Sequence, residues 1–116
     1  KKLTCTTTNI SDTLDIFEKT EILHTFNSIK EINTTVTYMI KDDAISNNFK
    51  NIFNTIKEKY SDENIIKTET IEDNTYILNI SYNPKKLEEE TLKKLNISTK
   101  LKEYENYLKS QNMICK

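Results

Sequence analysis

Hydrophobic and polar residues change their rhythm several times along this chain. From Thr13 to Phe26 the even positions are Leu14, Ile16, Glu18, Thr20, Ile22, His24 and Phe26, and the odd ones are mostly polar apart from Phe17 and Leu23. A period of two marks a strand with one buried face. The stretch 29–40 repeats the pattern, with Ile32, Val36, Tyr38 and Ile40 on one side and Asn33, Thr35 and Thr37 on the other. "NSIKE" between the two runs turns the chain, so together they predict a β-hairpin. Upstream, "LTCTTT" at 3–8 reads as a short β-branched strand and "NISD" at 9–12 as a turn.

At Asp42-Asp43 the period lengthens. Ile45, Phe49, Ile52, Phe53, Ile56 and Tyr60 follow at helical spacing. They predict an amphipathic helix of about 18–20 residues capped by Asp42 or Asp43, with Asn47, Lys50, Asn54, Lys57 and Glu58 outward. "SDEN" closes it. Residues 65–71 and 75–82 read as two strands joined at Asp73-Asn74, both residues that tolerate positive φ. Tyr76, Leu78, Ile80 and Tyr82 share a face of the second strand. Asn83-Pro84 is a helix start, and that helix runs to Leu95 with Leu87, Thr91, Leu92 and Leu95 inward. "NIS" breaks it. Ser98 then caps a helix over 99–111 that buries Leu101, Tyr104 and Leu108. "NMIC" extends back toward the sheet and brings Cys115 within reach of the first strand. The predicted order is βββ-α-ββ-α-α in one domain, 1–116. That is an α+β fold: an antiparallel sheet of about five strands with helices packed on one face.

Composition narrows the chemistry. Of 116 residues, 35% are hydrophobic and 30% charged, with both signs interleaved to a net −1. No broad field of one sign is expected, which makes nucleic acid a poor partner. Glycine is absent. Phosphate-cradling loops need glycine for positive φ and close backbone approach, so P-loops and dinucleotide fingerprints are excluded. The chain opens on Lys1-Lys2 without methionine and holds no apolar run of membrane length. A signal peptide or anchor is expected upstream.

The only cysteines are Cys5 and Cys115. They are open to three readings: a disulfide, two unrelated thiols in a reducing compartment, or a reactive or metal-binding pair. Two thiolates with the single His24 make a thin ligand set without a short-spacing motif. A disulfide has a physical motive, because it ties down both termini of a lean fold and implies an oxidising location. His24 is expected to be a structural histidine bonded to a neighbour. Glu88, Glu89 and Glu90 suit the solvated first turn of a helix. Tyr38, Tyr60, Tyr76, Tyr82 and Tyr104 fall at core positions, and Tyr107 is expected to be exposed. The sequons at Asn9, Asn33, Asn79 and Asn96 are no more than this composition gives by chance.

A cysteine-bearing strand and long alternating strands come first. "AISNNFKNIFNTIKEKYSD" then leads into "IIKTETIEDNTYILNISYNPKKL", and "TKLKEYENYLKSQNMICK" ends the chain as a helix with an extended tail. In that order, and over most of its length, the chain resembles the YehR-like small bacterial lipoproteins. The resemblance implies an outward-facing protein with a signal peptide or membrane anchor and no established activity. Family lipoproteins carry an acylated cysteine directly after the signal peptide. Lys1 to Thr4 form no lipobox ahead of Cys5, so an upstream hydrophobic helix is the expected anchor. The resulting expectation is a non-catalytic extracytoplasmic domain, without metal or cofactor, acting through its surface on a protein or envelope component. The alternative is a small-ligand carrier whose pocket, lined by Phe49, Phe53, Leu78 and Tyr82, lies between sheet and helices. An enzyme ranks third.

Overall fold

A computed structural model describes residues 1–116. The elements are β1 (Lys2–Asn9), β2 (Leu14–Thr25), β3 (Ser28–Ile40), α1 (Asp43–Glu58), β4 (Ile66–Glu72), β5 (Thr75–Tyr82), a 3₁₀ turn (Pro84–Lys86), α2 (Glu89–Lys94), α3 (Leu101–Ser110) and β6 (Ile114–Cys115). The fold is α+β. One open six-stranded sheet, ordered β4-β5-β3-β2-β1-β6, is antiparallel throughout.

Register places the alternating positions in rows across the sheet. Cys5, Thr20, Thr34 and Ile80 stand side by side, and Ile22, Ile32 and Tyr82 form the next row. These residues are buried, and they belong to the face that the helices cover. Leu78, Val36 and Glu18 lie one row down, then Tyr76, Tyr38 and Ile16. The opposite face carries Thr6, Lys19, Thr35, Asn79 and Thr68 in one such row. A one-residue slip would exchange the two faces, so burial of the even set of β2, β3 and β5 fixes the pairing.

Asp42 accepts the Ala44 amide at 2.9 Å and starts α1. Phe49 and Phe53 reach the sheet and pack against Tyr38 and Tyr76, with ring centroids 4.9–6.0 Å apart. Edge-to-face geometry at such distances adds about 0.5–1.5 kcal/mol per pair beyond area burial. Ile52, expected on the inward stripe, is 43% exposed. Lys57 near the end of α1 pairs with Glu69 of β4 at 2.8 Å.

Three further expectations change. The sheet has six strands rather than about five. The two residues of β6 are too short to show a period, and they are placed by pairing with β1. The predicted helix over 84–95 is two pieces. Asn83 caps a 3₁₀ turn that begins at Pro84, after which Leu87 is extended and buried. Asp62 restarts the chain as α2 by accepting the Glu88 amide at 3.1 Å and the Thr91 hydroxyl at 2.9 Å. This cap comes from a distant loop and leaves no local trace. Phe26, expected to face the core, has φ 53° at the hairpin tip and is 90% exposed. The turn is Phe26-Asn27, and the Asn27 side chain accepts the Lys102 amide at 2.8 Å in the first turn of α3.

Cys5 and Cys115 form a disulfide across β1 and β6. Thr4 and Lys116 beside them exchange both backbone hydrogen bonds, at 3.1 and 2.8 Å. The cysteines therefore occupy the adjacent non-hydrogen-bonded site, where Cα atoms approach most closely; here they are 4.0 Å apart. The bond joins residues 110 apart in sequence. Replacing both cysteines by alanine is expected to lower the unfolding free energy by about 4–5 kcal/mol on the chain-entropy account, measured by urea denaturation against the oxidised wild type.

Candidate site: a tyrosine-ringed pocket on the covered face

The helices do not cover the sheet completely. A cavity of about 210 Å³ remains between the C-terminal end of α1 and α3, bounded by thirteen residues. Thr20, Thr34 and Ile80 of the central strands form its floor. Tyr104, Leu108 and Met113 of α3 and its tail form one wall, with Leu95 and Ile97 of the α2–α3 connection beside them. Tyr60, Tyr82, Tyr107, Glu18 and Gln111 complete the lining.

Each of these side chains has a local reason for its position. Thr20 and Thr34 are cross-strand partners, both buried, with hydroxyl oxygens 3.0 Å apart. One donates to the other, which gives both buried oxygens a partner. Tyr104 and Leu108 are one helical turn apart and face inward. Tyr107 stacks on Tyr104 with centroids 6.4 Å apart and planes 16° from parallel. Met113 is held because its amide donates to the Leu108 carbonyl at 3.2 Å and because β6 follows immediately.

The electrostatics of the lining are dominated by desolvation. Burial pushes the Tyr104 hydroxyl up to about 12, against an opposing contact with the Tyr82 hydroxyl and with reinforcement from Tyr60, Glu18 and Tyr107. Burial raises Tyr82 well above the usual phenol range, and Tyr60 is raised first by burial and then by the negative charge of Glu18. Burial also raises the Glu18 carboxyl. Loss of water is thus the first cause of the shift at Tyr60, Tyr82, Tyr104 and Glu18 alike, and all four line one space. Glu18 takes part in none of the protein's five ion pairs.

The residues singled out from sequence are distributed unevenly around this pocket. Of the expected lining set only Tyr82 belongs to it. Phe49, Phe53 and Leu78 are 2%, 0% and 1% exposed and fill the core under α1. Tyr38 and Tyr76 join them there, while Tyr60, Tyr82 and Tyr104 line the cavity. Tyr107, expected to be exposed, is half-buried. His24 sits at the hairpin end with Nδ1 3.0 Å from the Phe26 carbonyl, away from the cavity. Glu88 to Glu90 are exposed at the start of α2. No group of three or more His, Cys, Asp or Glu side chains is arranged to hold a metal ion, and no helix is long and apolar enough to cross a membrane. Glu18 was the overlooked residue. Its signal was present, as the one carboxylate among the even, inward positions of β2.

Comparison with family models, curated proteins and solved structures gives no match.

The raised phenols, three in the pocket and Tyr38 in the core under α1, make alkaline stability a readout of tyrosine burial. A tyrosine whose folded pKa exceeds its unfolded value near 10 leaves stability intact below that pH. Above it the unfolded chain loses protons that the folded chain keeps, and stability falls with a slope of up to about 1.4 kcal/mol per pH unit per buried tyrosine. Unfolding free energy should therefore decline steeply from pH 10 toward 12, the direction set by Tyr38, Tyr60, Tyr82 and Tyr104. Tyrosinate absorbance and circular dichroism, followed together through an alkaline titration, should change in step.

Proposed function

We propose that the chain is a non-catalytic, extracytoplasmic binding domain that holds a small ligand in the pocket between the sheet and α3. The observation that carries this reading is a preformed cavity of about 210 Å³ whose lining combines apolar walls with convergent hydroxyls and a carboxylate. Binding sites for small molecules have this composition. An apolar cavity of about 150 Å³ accepts benzene, so the room here suits a ligand of about eight non-hydrogen atoms.

The extracytoplasmic part rests on the disulfide, since such bonds persist where thiols oxidise. The resemblance to outward-facing YehR-like lipoproteins agrees with it. The non-catalytic part rests on the content of the pocket. Its one titrating group of ordinary catalytic type is Glu18, and neither histidine nor cysteine lines it.

Action through the surface is the competing reading. Seven large apolar side chains reach solvent, and the four most exposed lie in different parts of the fold. Ile66 and Ile114 stand on opposite edges of the sheet, Phe26 is at the hairpin tip, and Ile10 lies in the β1–β2 connection. Scattered apolar residues are ordinary surface, and the cavity is the stronger feature.

Gln111 is exposed on the rim of the pocket, so a larger side chain there blocks the mouth without entering the core. A thermal-shift screen with compounds of up to about eight non-hydrogen atoms is expected to yield ligands that stabilise the wild type. At a hundredfold excess over Kd the gain is about 2.7 kcal/mol. The same ligands should leave Gln111→Trp unshifted. Equal stabilisation of both proteins would place binding elsewhere and refute the assignment.

A further inference from the structure

We infer that the ligand of this pocket is a small amphipathic ammonium compound whose cationic head pairs with Glu18. The inference rests on the pocket being a binding site, and it adds the chemical class of the occupant.

Glu18 stands in the middle of β2, opposite Thr7 of β1 and Val36 of β3. Its position in the alternation points it to the helix-covered face, in a row whose central neighbours Val36 and Leu78 are core residues. Strand pairing therefore prevents it from reaching the open face of the sheet without a register slip. Its sequence neighbour Lys19 projects from that open face and pairs with Glu21, at 3.9 Å, rather than with Glu18. No other lysine forms an ion pair with it. The thirteen residues lining the cavity include no lysine, arginine or histidine. Glu18 is half-buried, with no hydrogen bond or ion pair to its carboxylate from the protein, and partial loss of water without a partner disfavours the charged form. An apolar or amide side chain at this position would cost less, so the charge calls for a use.

The surroundings identify that use. Tyr60, Tyr82, Tyr104 and Tyr107 line the same cavity as Glu18. An ammonium group has three donors and no acceptor. It matches a space that offers a carboxylate and several phenol oxygens. Aromatic rings add a second attraction for a cation, worth more when water is excluded. An anionic ligand would gain donors from the phenols but would face the Glu18 charge directly, which disfavours it. A neutral alcohol would find hydrogen bonds but would leave the carboxylate uncompensated. The rest of the cavity, lined by Ile80, Leu95, Ile97, Leu108 and Met113, takes an aliphatic tail.

The test uses three straight-chain probes of one shape on the oxidised wild-type protein: n-hexylammonium, n-hexanol and hexanoate. Binding is followed by calorimetry and by the NMR signals of Tyr104 and Met113. Hexylammonium is expected to bind at least tenfold more tightly than hexanol, and hexanoate not to bind. Glu18→Gln should weaken hexylammonium to the level of hexanol while raising the melting temperature of the empty protein, because it removes the desolvated charge. A purely structural Glu18 would give the opposite stability change. If hexanol matches hexylammonium while both shift the Tyr104 signals, the ammonium class is wrong and the pocket assignment survives. If none of the three probes shifts those signals, the pocket assignment fails and this inference with it.

Discussion

The Cys5–Cys115 bond is the constraint on which the rest of this molecule depends. It closes a loop of 110 residues and joins the two ends of the chain at directly opposed positions of an antiparallel pair. By itself β6 is only two residues long. A strand of that length fixes too few backbone bonds to offset the entropy of ordering a terminal segment. The covalent link makes it part of the sheet. With its start bonded to the hairpin tip through Asn27 and its far end tied to β1, α3 lies across the covered face. Tyr104, Tyr107, Leu108, Gln111 and Met113, all lining the pocket, lie in that segment. The same bond thus argues for an oxidising compartment and builds one wall of the site.

The pocket is the region where the covered face departs from tight apolar packing. Elsewhere the molecule follows ordinary rules: Phe49 and Phe53 fill the space over Tyr38 and Tyr76, and buried hydroxyls such as Thr20 and Thr34 are paired. No buried side-chain nitrogen or oxygen is left without a partner. Against that background Glu18 breaks a local rule, a partly desolvated carboxylate without a cation. Departures from consistency of this kind concentrate at functional sites. Burial of the surrounding phenols reinforces it, because a low-dielectric pocket strengthens any charge pair formed inside.

Most of the sheet was legible in the sequence because its period is strict. The even positions of β2, β3 and β5 alternate cleanly enough to set the buried face and the hairpins, and Asp42 announces α1. The cysteines at the two ends, with the extended "NMIC" stretch, made the disulfide the best-motivated of three readings. The rest depended on contacts between distant segments. Asp62 capping α2 across 26 residues, and Asn27 capping α3 across 75, are invisible to a local pattern. Phe26 obeys the alternation but lies where the hairpin must turn, so turn geometry overrides its hydrophobicity. The pocket was expected under α1, yet the aromatic residues there pack too well to leave space. It lies where the smaller Thr20 and Thr34 make the floor low and α3 bridges above. A single carboxylate among the inward positions of β2 was the one sequence signal for it.

The most direct test of this account is amide hydrogen exchange on the oxidised protein and on the same protein after mild reduction. The account predicts that protection falls selectively across Leu101–Cys115 on reduction, while the amides of β2, β3 and β5 keep theirs. Equal protection of that segment in both states would show that α3 and the pocket wall stand without the bond, and would contradict the claim.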